Sequence, residues 1–114
     1  MQTGKRYTIH EVARLLGISA DAIRLYEKEG LVAPQRDPRN GYRYYEFEQI
    51  QRIMGVSLYR QMDIGIPEIR NLIHNQTLDT VGDQFVHLID ENENKIRNLQ
   101  TKVQKMRFMK QHLE

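Results

Sequence analysis

The chain has 114 residues, 28% of them charged and 39% hydrophobic, a balance typical of a small folded protein. That size leaves little room for a large catalytic cleft, and no apolar run approaches the ~20 residues needed to cross a bilayer. Cysteine is absent, which excludes disulfides, thiolate metal sites and thiol redox sensing, and the four histidines lack metal-ligand spacing. We therefore expect a soluble cytoplasmic protein with no cofactor, no metal and no membrane contact.

Charge is distributed unevenly along the chain, although the net charge is only +2. Residues 1–78 hold eleven Lys and Arg against nine Asp and Glu. Residues 79–94 hold five acids and no Lys or Arg, whereas residues 95–114 hold six bases and one acid. The small overall excess of positive charge is weak evidence for a nucleic-acid partner. The separation of acids in residues 79–94 from bases in residues 95–114 restricts how two copies of this region can pair.

Two short helices are predicted at about residues 8–29. Thr8 and Glu11 form a capping box that begins the first helix, and Gly17 ends it. A second helix follows at once, at about residues 20–29. Two short helices joined by a tight glycine-containing turn are typical of a helix-turn-helix, whose second helix is presented outward.

A helical wheel divides the second helix into two faces. The apolar face consists of Ala22, Ile23, Leu25 and Tyr26. The outward face consists of Ala20, Asp21, Arg24 and Lys28. If this helix enters a major groove, Arg24 and Lys28 lie against base edges or phosphates, and we predict that Arg24 reads a base. The alternative is a charged face that meets only solvent.

The segment at about residues 34–45 is predicted to be a small β-wing. Pro34 and Pro38 disfavour helix, and Asn40-Gly41 is a strong hairpin-turn signal. Three arginines and three tyrosines surround this turn: Arg36, Arg39, Arg43, Tyr42, Tyr44 and Tyr45. Guanidinium groups grip phosphates and phenols hydrogen-bond the DNA backbone, so the cluster favours DNA over a plain surface loop.

Alternation along the wing means that some of its tyrosines must pack rather than contact DNA. We assign packing mainly to Tyr44, and DNA contact to Tyr42 and Arg43.

Two more helices are predicted at about residues 46–74. The third, at about residues 46–62, should turn five apolar side chains inward: Phe47, Ile50, Ile53, Met54 and Leu58. The fourth should begin at Gly65, tolerate Pro67 in its first turn and bury four side chains: Ile66, Ile69, Leu72 and Ile73. A polar connector is expected at residues 75–80.

A single long helix is predicted for residues 81–113, because the segment contains no proline and is ~50 Å long at 1.5 Å per residue. Its apolar residues follow a heptad spacing with seven apolar residues in nine positions. These nine positions, which we call the seam, are Phe85, Ile89, Asn92, Ile96, Leu99, Val103, Met106, Lys110 and Leu113. We predict a coiled coil with a partner helix; the alternative is a helix that packs back on its own domain.

The acid-then-base split predicts the orientation of that pair. A parallel pair would set the acids around Asp90 against acids and the bases around Lys102 against bases, whereas an antiparallel pair sets acid against base. We therefore predict a two-fold symmetric, antiparallel homodimer whose helices cross near Arg97.

Several motifs together resemble the mercury-resistance regulator (MerR) family over roughly residues 6–75. They are Tyr7-Thr8-Ile9, Glu11-Val12-Ala13, Ala22-Ile23-Arg24-Leu25-Tyr26-Glu27, Gly30-Leu31 and Asn40-Gly41-Tyr42-Arg43-Tyr44-Tyr45. The resemblance implies a mainly α winged helix-turn-helix DNA-binding domain at residues 6–75. It also implies a dimerisation helix at residues 80–114.

The resemblance further implies that Arg24 and Tyr26 of the second helix and Tyr42 and Arg43 of the wing contact DNA, and that the turn between the third and fourth helices is a second wing. The complete predicted DNA-contact set is Thr8, Ser19, Asp21, Arg24, Tyr26, Lys28, Arg36, Arg39, Asn40, Tyr42 and Arg43. Two residues depart from the family pattern. Asp63 stands where glycine is common in the second wing, and Asp21 stands where a base or small polar residue is common.

Members of the family are similar in mechanism, which implies a dimer bound to a promoter whose two polymerase-binding elements are too far apart. Effector binding then lets the dimer kink the DNA so that RNA polymerase can engage, and the regulator itself catalyses no reaction. Bending a short site costs about 1–6 kcal/mol, within reach of phosphate contacts. Family effector sites lie at or beyond the end of the dimerisation helix, so the chain is either part of a longer regulator or a short member.

Three other functions are alternatives to this one. A small-molecule-binding module could use Phe85, His87, Phe108 and Met109 to line a pocket between the long helix and the DNA-binding lobe. An architectural DNA-bending protein of the excisionase type would lack the long last helix. An enzyme is disfavoured because no nucleophile-base pair, phosphate loop or metal cluster is apparent, and Glu27 and Glu29 are expected on solvated helix faces.

Overall fold

A computed structural model describes residues 4–74 and 77–113 of the chain, and these form two units separated after His74. We call the first unit, residues 4–74, the lobe. The elements in chain order are α1 (Ile9–Leu16), α2 (Ala20–Lys28), β1 (Gln35–Arg36), β2 (Arg43–Tyr44), α3 (Phe47–Gln61), α4 (Ile66–His74) and α5 (Leu78–Leu113). The mainly helical fold with a two-stranded wing and a long last helix is as predicted.

The helix-turn-helix is formed by α1 and α2. The predicted capping box is confirmed: Thr8 Oγ1 accepts a hydrogen bond from Glu11 N at 3.1 Å, and Thr8 N donates to Glu11 Oε1 at 2.8 Å. Gly17 ends α1 in the left-handed region, with φ 69°, which glycine adopts without steric cost. Ser19 then caps α2 through its side chain, so the turn between the helices is short.

The wing is an antiparallel hairpin in which Gln35 pairs with Tyr44 and Arg36 with Arg43. Its loop is closed by a hydrogen bond from Asp37 N to Tyr42 O at 2.9 Å. Tyr42 therefore lies in the loop, whereas Tyr44 belongs to β2 and Tyr45 forms an isolated antiparallel bridge with Tyr7. This bridge joins the start of the chain to the end of the wing.

The lobe has an apolar core to which its four helices and Tyr45, the residue after β2, contribute. The buried apolar residues are Val12, Ala13, Ile23, Tyr26, Leu31, Val32, Tyr45, Ile50, Ile53, Val56, Ile64, Ile69 and Leu72. Two hydrogen bonds join residues that are distant in the sequence: Arg70 Nη2 donates to Glu29 O at 2.7 Å, and Arg52 Nη1 donates to Leu31 O at 3.4 Å.

The predicted inward face of α3 is wrong in part. Phe47, Met54 and Leu58 are 70%, 52% and 55% exposed. The residues of α3 that face the core are Gln49, Ile50, Ile53, Val56 and Ser57. Apolar content suggested a different face from the one that packs, because the core-facing stripe contains two polar residues.

The turn between α3 and α4 contains Asp63, the one non-glycine residue with positive φ (58°) in the described part of the chain. Left-handed backbone is costly for residues with a Cβ and less so for Asp, which explains why glycine suits this position. Arg60 Nη1 donates to Ile64 O at 2.9 Å and supports the turn. In α4, Ile69 and Leu72 are buried as predicted, but Ile66 and Ile73 are only partly covered.

The long helix α5 begins at Leu78, so the predicted connector is wrong for residues 78–80; Asn75 and Gln76 lie outside the described residues. Thr77 explains the earlier start, because its Oγ1 accepts a hydrogen bond from Thr80 N at 3.2 Å, as an N-capping residue does. Within the described residues, no helix combines the length and apolar character required to cross a membrane.

Candidate nucleic-acid interface

The outward face of α2 carries an ion pair between two predicted DNA-contact residues. Arg24 Nη1 lies 2.8 Å from Asp21 Oδ1, and the two side chains are 47% and 92% exposed. A pair this exposed contributes little to stability and exchanges easily with solvent or another anion. Lys28, at the end of the helix, is also exposed. Arg24 can therefore leave Asp21 for a base edge or a phosphate.

The wing loop is organised around Asp37. Its Oδ1 accepts a hydrogen bond from Arg39 N at 2.9 Å, and its Oδ2 lies 3.2 Å from Arg39 Nη2 and 3.4 Å from Arg6 Nη1. Hydrogen bonds from the side chain and backbone of Arg39 hold the pKa of the Asp37 carboxyl below its usual value. Gly41 N donates to Asp37 O at 2.7 Å, with φ 73° at Gly41.

Two further predicted contact residues support the loop. Asn40 Oδ1 accepts a hydrogen bond from Tyr42 N at 2.9 Å, and Arg36 Nη1 donates to Gly41 O at 2.9 Å. Tyr42 itself is 74% exposed, so its ring projects from a rigid loop. The Arg6 guanidinium lies 4.0 Å from the ring centroid of Tyr44, which agrees with a packing role for Tyr44.

Glu27 and Tyr45 were not predicted to form part of the site, and Glu27 contradicts its expected place on a solvated face. The Glu27 side chain is only 7% exposed, and the Tyr45 hydroxyl donates a hydrogen bond to its Oε2. Arg43 Nη1 lies 3.5 Å from Glu27 Oε1. Burial first, and then the hydrogen bond to Glu27, raises the pKa of the Tyr45 phenol. These contacts join α2 to the wing.

Three other predicted contact residues have structural roles that affect their use. Thr8 and Ser19 cap α1 and α2 through their hydroxyl oxygens. A cap uses an acceptor position of the hydroxyl, so donation to a phosphate is compatible with it. Tyr26 is only 5% exposed. That burial argues against the predicted DNA contact of Tyr26 and favours packing in the core.

The predicted dimerisation residues lie on α5, none of whose residues is buried. Six apolar seam residues have exposed fractions between 41% and 82%: Ile89, Ile96, Leu99, Val103, Met106 and Leu113. Phe85 is partly covered. Asn92 Nδ2 donates to Leu88 O at 2.8 Å, so its own helix satisfies that polar group within the apolar row.

The four residues considered for a small-molecule pocket do not come together within one chain. Phe85 and Phe108 lie on the same continuous helix and are roughly 35 Å apart at 1.5 Å per residue. The Phe108 ring stacks on His112 at 4.0 Å, and His87 Nε2 lies 2.9 Å from Glu91 Oε1. Among the described residues, no three His, Asp or Glu side chains form a group that could hold a metal ion.

The capped helix pair, the arginine-rich hairpin that is tied to its second helix, and the helices that follow define a winged helix-turn-helix protein. A family model described as MerR HTH family regulatory protein matches residues 7–76, well over half of the chain. The chain therefore belongs to the MerR family of helix-turn-helix regulatory proteins, as the motifs predicted.

Two curated relatives illustrate the range of similarity. The multidrug-efflux transporter 2 regulator of Bacillus subtilis is 30% identical over an alignment 118 residues long, and this alignment covers 96% of this chain and 42% of the relative. The HTH-type transcriptional regulator CueR of Escherichia coli O157:H7 is 33% identical over 66 residues, which cover 58% of this chain and 49% of the relative. The chain thus spans less than half the length of either protein.

Solved structures of two transcription regulators share the fold. PbrR691 from Ralstonia metallidurans CH34, in complex with lead(II), has a TM-score of 0.79 at 21% identity, covering 88% of this chain and 82% of that one. HiNmlR, a MerR family regulator that lacks the sensor domain and is bound to promoter DNA, has a TM-score of 0.63 at 23% identity, covering 87% and 79%. At these identities the likeness concerns the fold alone.

Proposed function

We propose that the protein is a sequence-specific transcription regulator that binds double-stranded promoter DNA through α2 and the wing. The observation that carries the proposal is the tie between these two elements at Glu27, which makes one unit of a helix with an exposed Arg24 and a hairpin with an exposed Tyr42. An outward helix reads base edges while a wing grips phosphates, which is the division of labour that sequence-specific binding requires.

The division of roles among the exposed side chains follows from their chemistry. Arg24 presents a fork that matches guanine O6 and N7, so it is proposed to read a base. Arg43 and Tyr42 of the wing are proposed to bind phosphates. Lys28 and Arg39 add charge that attracts the duplex without choosing its sequence.

The protein is proposed to act as an antiparallel homodimer through the seam of α5. Apolar side chains exposed in a row along a 36-residue helix are a large surface to leave in water. The acidic first part and basic second part of α5 complement each other when two copies run in opposite directions. Such a dimer presents two lobes related by a two-fold axis, which matches a pseudo-palindromic operator.

Regulation is proposed to proceed in the cytoplasm by distortion of promoter DNA, which alters the access of RNA polymerase and is the step that an effector would control. HiNmlR supports the DNA target because it is described as bound to promoter DNA. The Bacillus subtilis relative is described as a regulator of a multidrug-efflux transporter, and PbrR691 as a lead(II) complex. Within the proposal, the regulator itself performs no chemical reaction.

Selection of bound sequences from a random duplex pool tests this function. We expect enrichment of an inverted repeat whose half-sites are separated by a constant spacing, with two chains bound per duplex. Leaving out the protein and repeating the selection at high salt control for carry-over and for binding that depends on charge alone. Failure to retain any duplex at low ionic strength, or retention without sequence enrichment, would contradict the proposal.

A further inference from the structure

Glu27 occupies an unusual place for a carboxylate at the end of a surface helix. Only 7% of its side chain is exposed, and burying a charged carboxylate costs free energy unless the charge is paired and hydrogen-bonded. Tyr45, which is fully buried, donates its hydroxyl hydrogen to Glu27 Oε2. The buried Oε1 accepts no hydrogen bond from the described residues. A charge held in this way needs a counter-ion.

Arg43 supplies that counter-ion from the wing. Its Nη1 lies 3.5 Å from Glu27 Oε1, close enough for an ion pair but too far for a strong hydrogen bond. The Arg43 side chain remains 40% exposed. A guanidinium has five N–H donors in a planar fork, so attraction from one side leaves the other donors available. Arg43 is thus held on its inner side and open on its outer side.

We propose that Glu27 is a positioning residue for DNA binding, which holds the Arg43 guanidinium in the direction of a DNA phosphate and, with Tyr45, fixes the wing to α2. The inference rests on the proposed function, because it needs Arg43 to bind a phosphate. A free arginine side chain loses much rotamer freedom when it binds, and a carboxylate behind it means that part of this freedom is already lost before DNA arrives.

Experiment can distinguish this positioning role from the opposite role, in which Glu27 competes with DNA phosphates for Arg43. If Glu27 mainly competed, its neutralisation would tighten DNA binding. If it mainly oriented Arg43, neutralisation would weaken binding. Because Glu27 is buried and its contact with Arg43 is long, a phosphate can approach the outer donors without displacing the carboxylate. This geometry favours orientation.

The test is a double-mutant cycle on the full chain, with the affinity for the selected duplex measured by fluorescence anisotropy at several salt concentrations. Glu27→Gln keeps the shape of the side chain and an acceptor for the Tyr45 hydroxyl but loses the charge. We expect it to weaken binding about three- to tenfold with an unchanged salt slope, because the phosphate contact still forms. Arg43→Ala should weaken binding and lower the slope by about one unit.

The variant with both substitutions tests whether Glu27 acts through Arg43. We expect Glu27→Gln to have no further effect once Arg43 is alanine, since it then has no side chain to orient. Glu29→Gln is the matched control: Glu29 lies two residues along the chain, and its Oε2 faces Arg70 Nη2 of α4 at 3.4 Å rather than the wing. It should leave the affinity unchanged.

Tyr45→Phe gives a second variant in case Glu27→Gln folds poorly. It removes the hydroxyl that holds Glu27 while keeping the buried ring, and should weaken binding in the same direction. Thermal unfolding of every variant checks the fold. Tighter binding by Glu27→Gln, or an equal loss in the Arg43→Ala background, overturns the role of Glu27. Failure of the wild-type chain to bind any duplex instead overturns the proposed function.

Discussion

The lobe and α5 differ in where their apolar side chains lie. In the lobe, Val12, Ile23 and Ile53 are completely buried, and polar contacts such as that of Arg70 with Glu29 close the edges. In α5 no residue is buried, and apolar side chains remain in water along its length. The lobe therefore buries an apolar core within one chain, whereas α5 buries none of its apolar residues.

This difference separates the two sources of stability. Burial of the apolar core contributes to the stability of the lobe within one chain. A single helix gains most of its stability from packing rather than from helix propensity, so α5 needs a second surface. We expect substitutions in the lobe to affect folding and substitutions in the seam to affect association.

The largest expected effect is loss of the dimer on substitution of Leu99→Asp. The change places a charge in the seam of both copies next to the predicted crossing point, and burying an unpaired charge is strongly unfavourable. We expect the dimer dissociation constant to rise by about a thousandfold or more, and DNA affinity to fall because each lobe then binds alone. Sedimentation equilibrium measures the first effect and fluorescence anisotropy the second.

Thr101→Asp is the matched control for that change. It introduces the same charge two residues away, on the opposite side of α5, and should leave the dimer intact. An unchanged dissociation constant for Leu99→Asp would show that the seam is not the dimer interface.

A second prediction contrasts two neighbouring residues of α3. Ile53 is completely buried, so Ile53→Ala should lower the free energy of unfolding by about 2–4 kcal/mol. Met54 is 52% exposed, so Met54→Ala should cost less than about 0.5 kcal/mol. Chemical denaturation at one protein concentration compares them. Equal losses would mean that a partner covers Met54.

A third prediction concerns discrimination between DNA sequences. Arg24→Ala should reduce the preference for the selected base pair by about 1–3 kcal/mol, since a bidentate contact to guanine is lost. Competition between the selected duplex and single-base variants measures this preference. Asp21→Asn, which releases Arg24 from its ion pair, should retain the preference. If Arg24→Ala leaves the order of preferred duplexes unchanged, another residue reads the base.

The smallest expected effect is at Asp63, where φ is positive. Asp63→Gly should stabilise the lobe by about 0.5–1 kcal/mol, because glycine adopts this conformation without a Cβ clash. Asp63→Val should destabilise it by at least about 1 kcal/mol, because a branched side chain tolerates left-handed backbone poorly. Thermal unfolding midpoints rank the three proteins. A valine variant as stable as the glycine variant would contradict the strain.

Local signals in the sequence predicted much of this fold. The capping box of Thr8 and Glu11, the glycine that ends α1 and the hairpin around Gly41 depend on residues a few positions apart. The long helix was predicted for a similar reason, although the cap at Thr77 was missed and its start was placed too late.

Contacts between distant residues could not be predicted in the same way. Glu27 looks like an ordinary surface glutamate until Tyr45, 18 residues later, is folded against it. The inward face of α3 was misplaced because Gln49 and Ser57 occupy the core side while Phe47 does not. In both cases tertiary packing decided a position that the local pattern left open.

The antiparallel dimer is tested most directly by distances between spin labels on single cysteines, since the chain has no cysteine of its own. In Asn98→Cys the two labels flank the predicted crossing, so the helix axes should be about 10 Å apart there. In Asp83→Cys the labelled residues should lie about 42 Å apart along the helices. A parallel pair would give similar short distances at both positions, and that result would contradict the account.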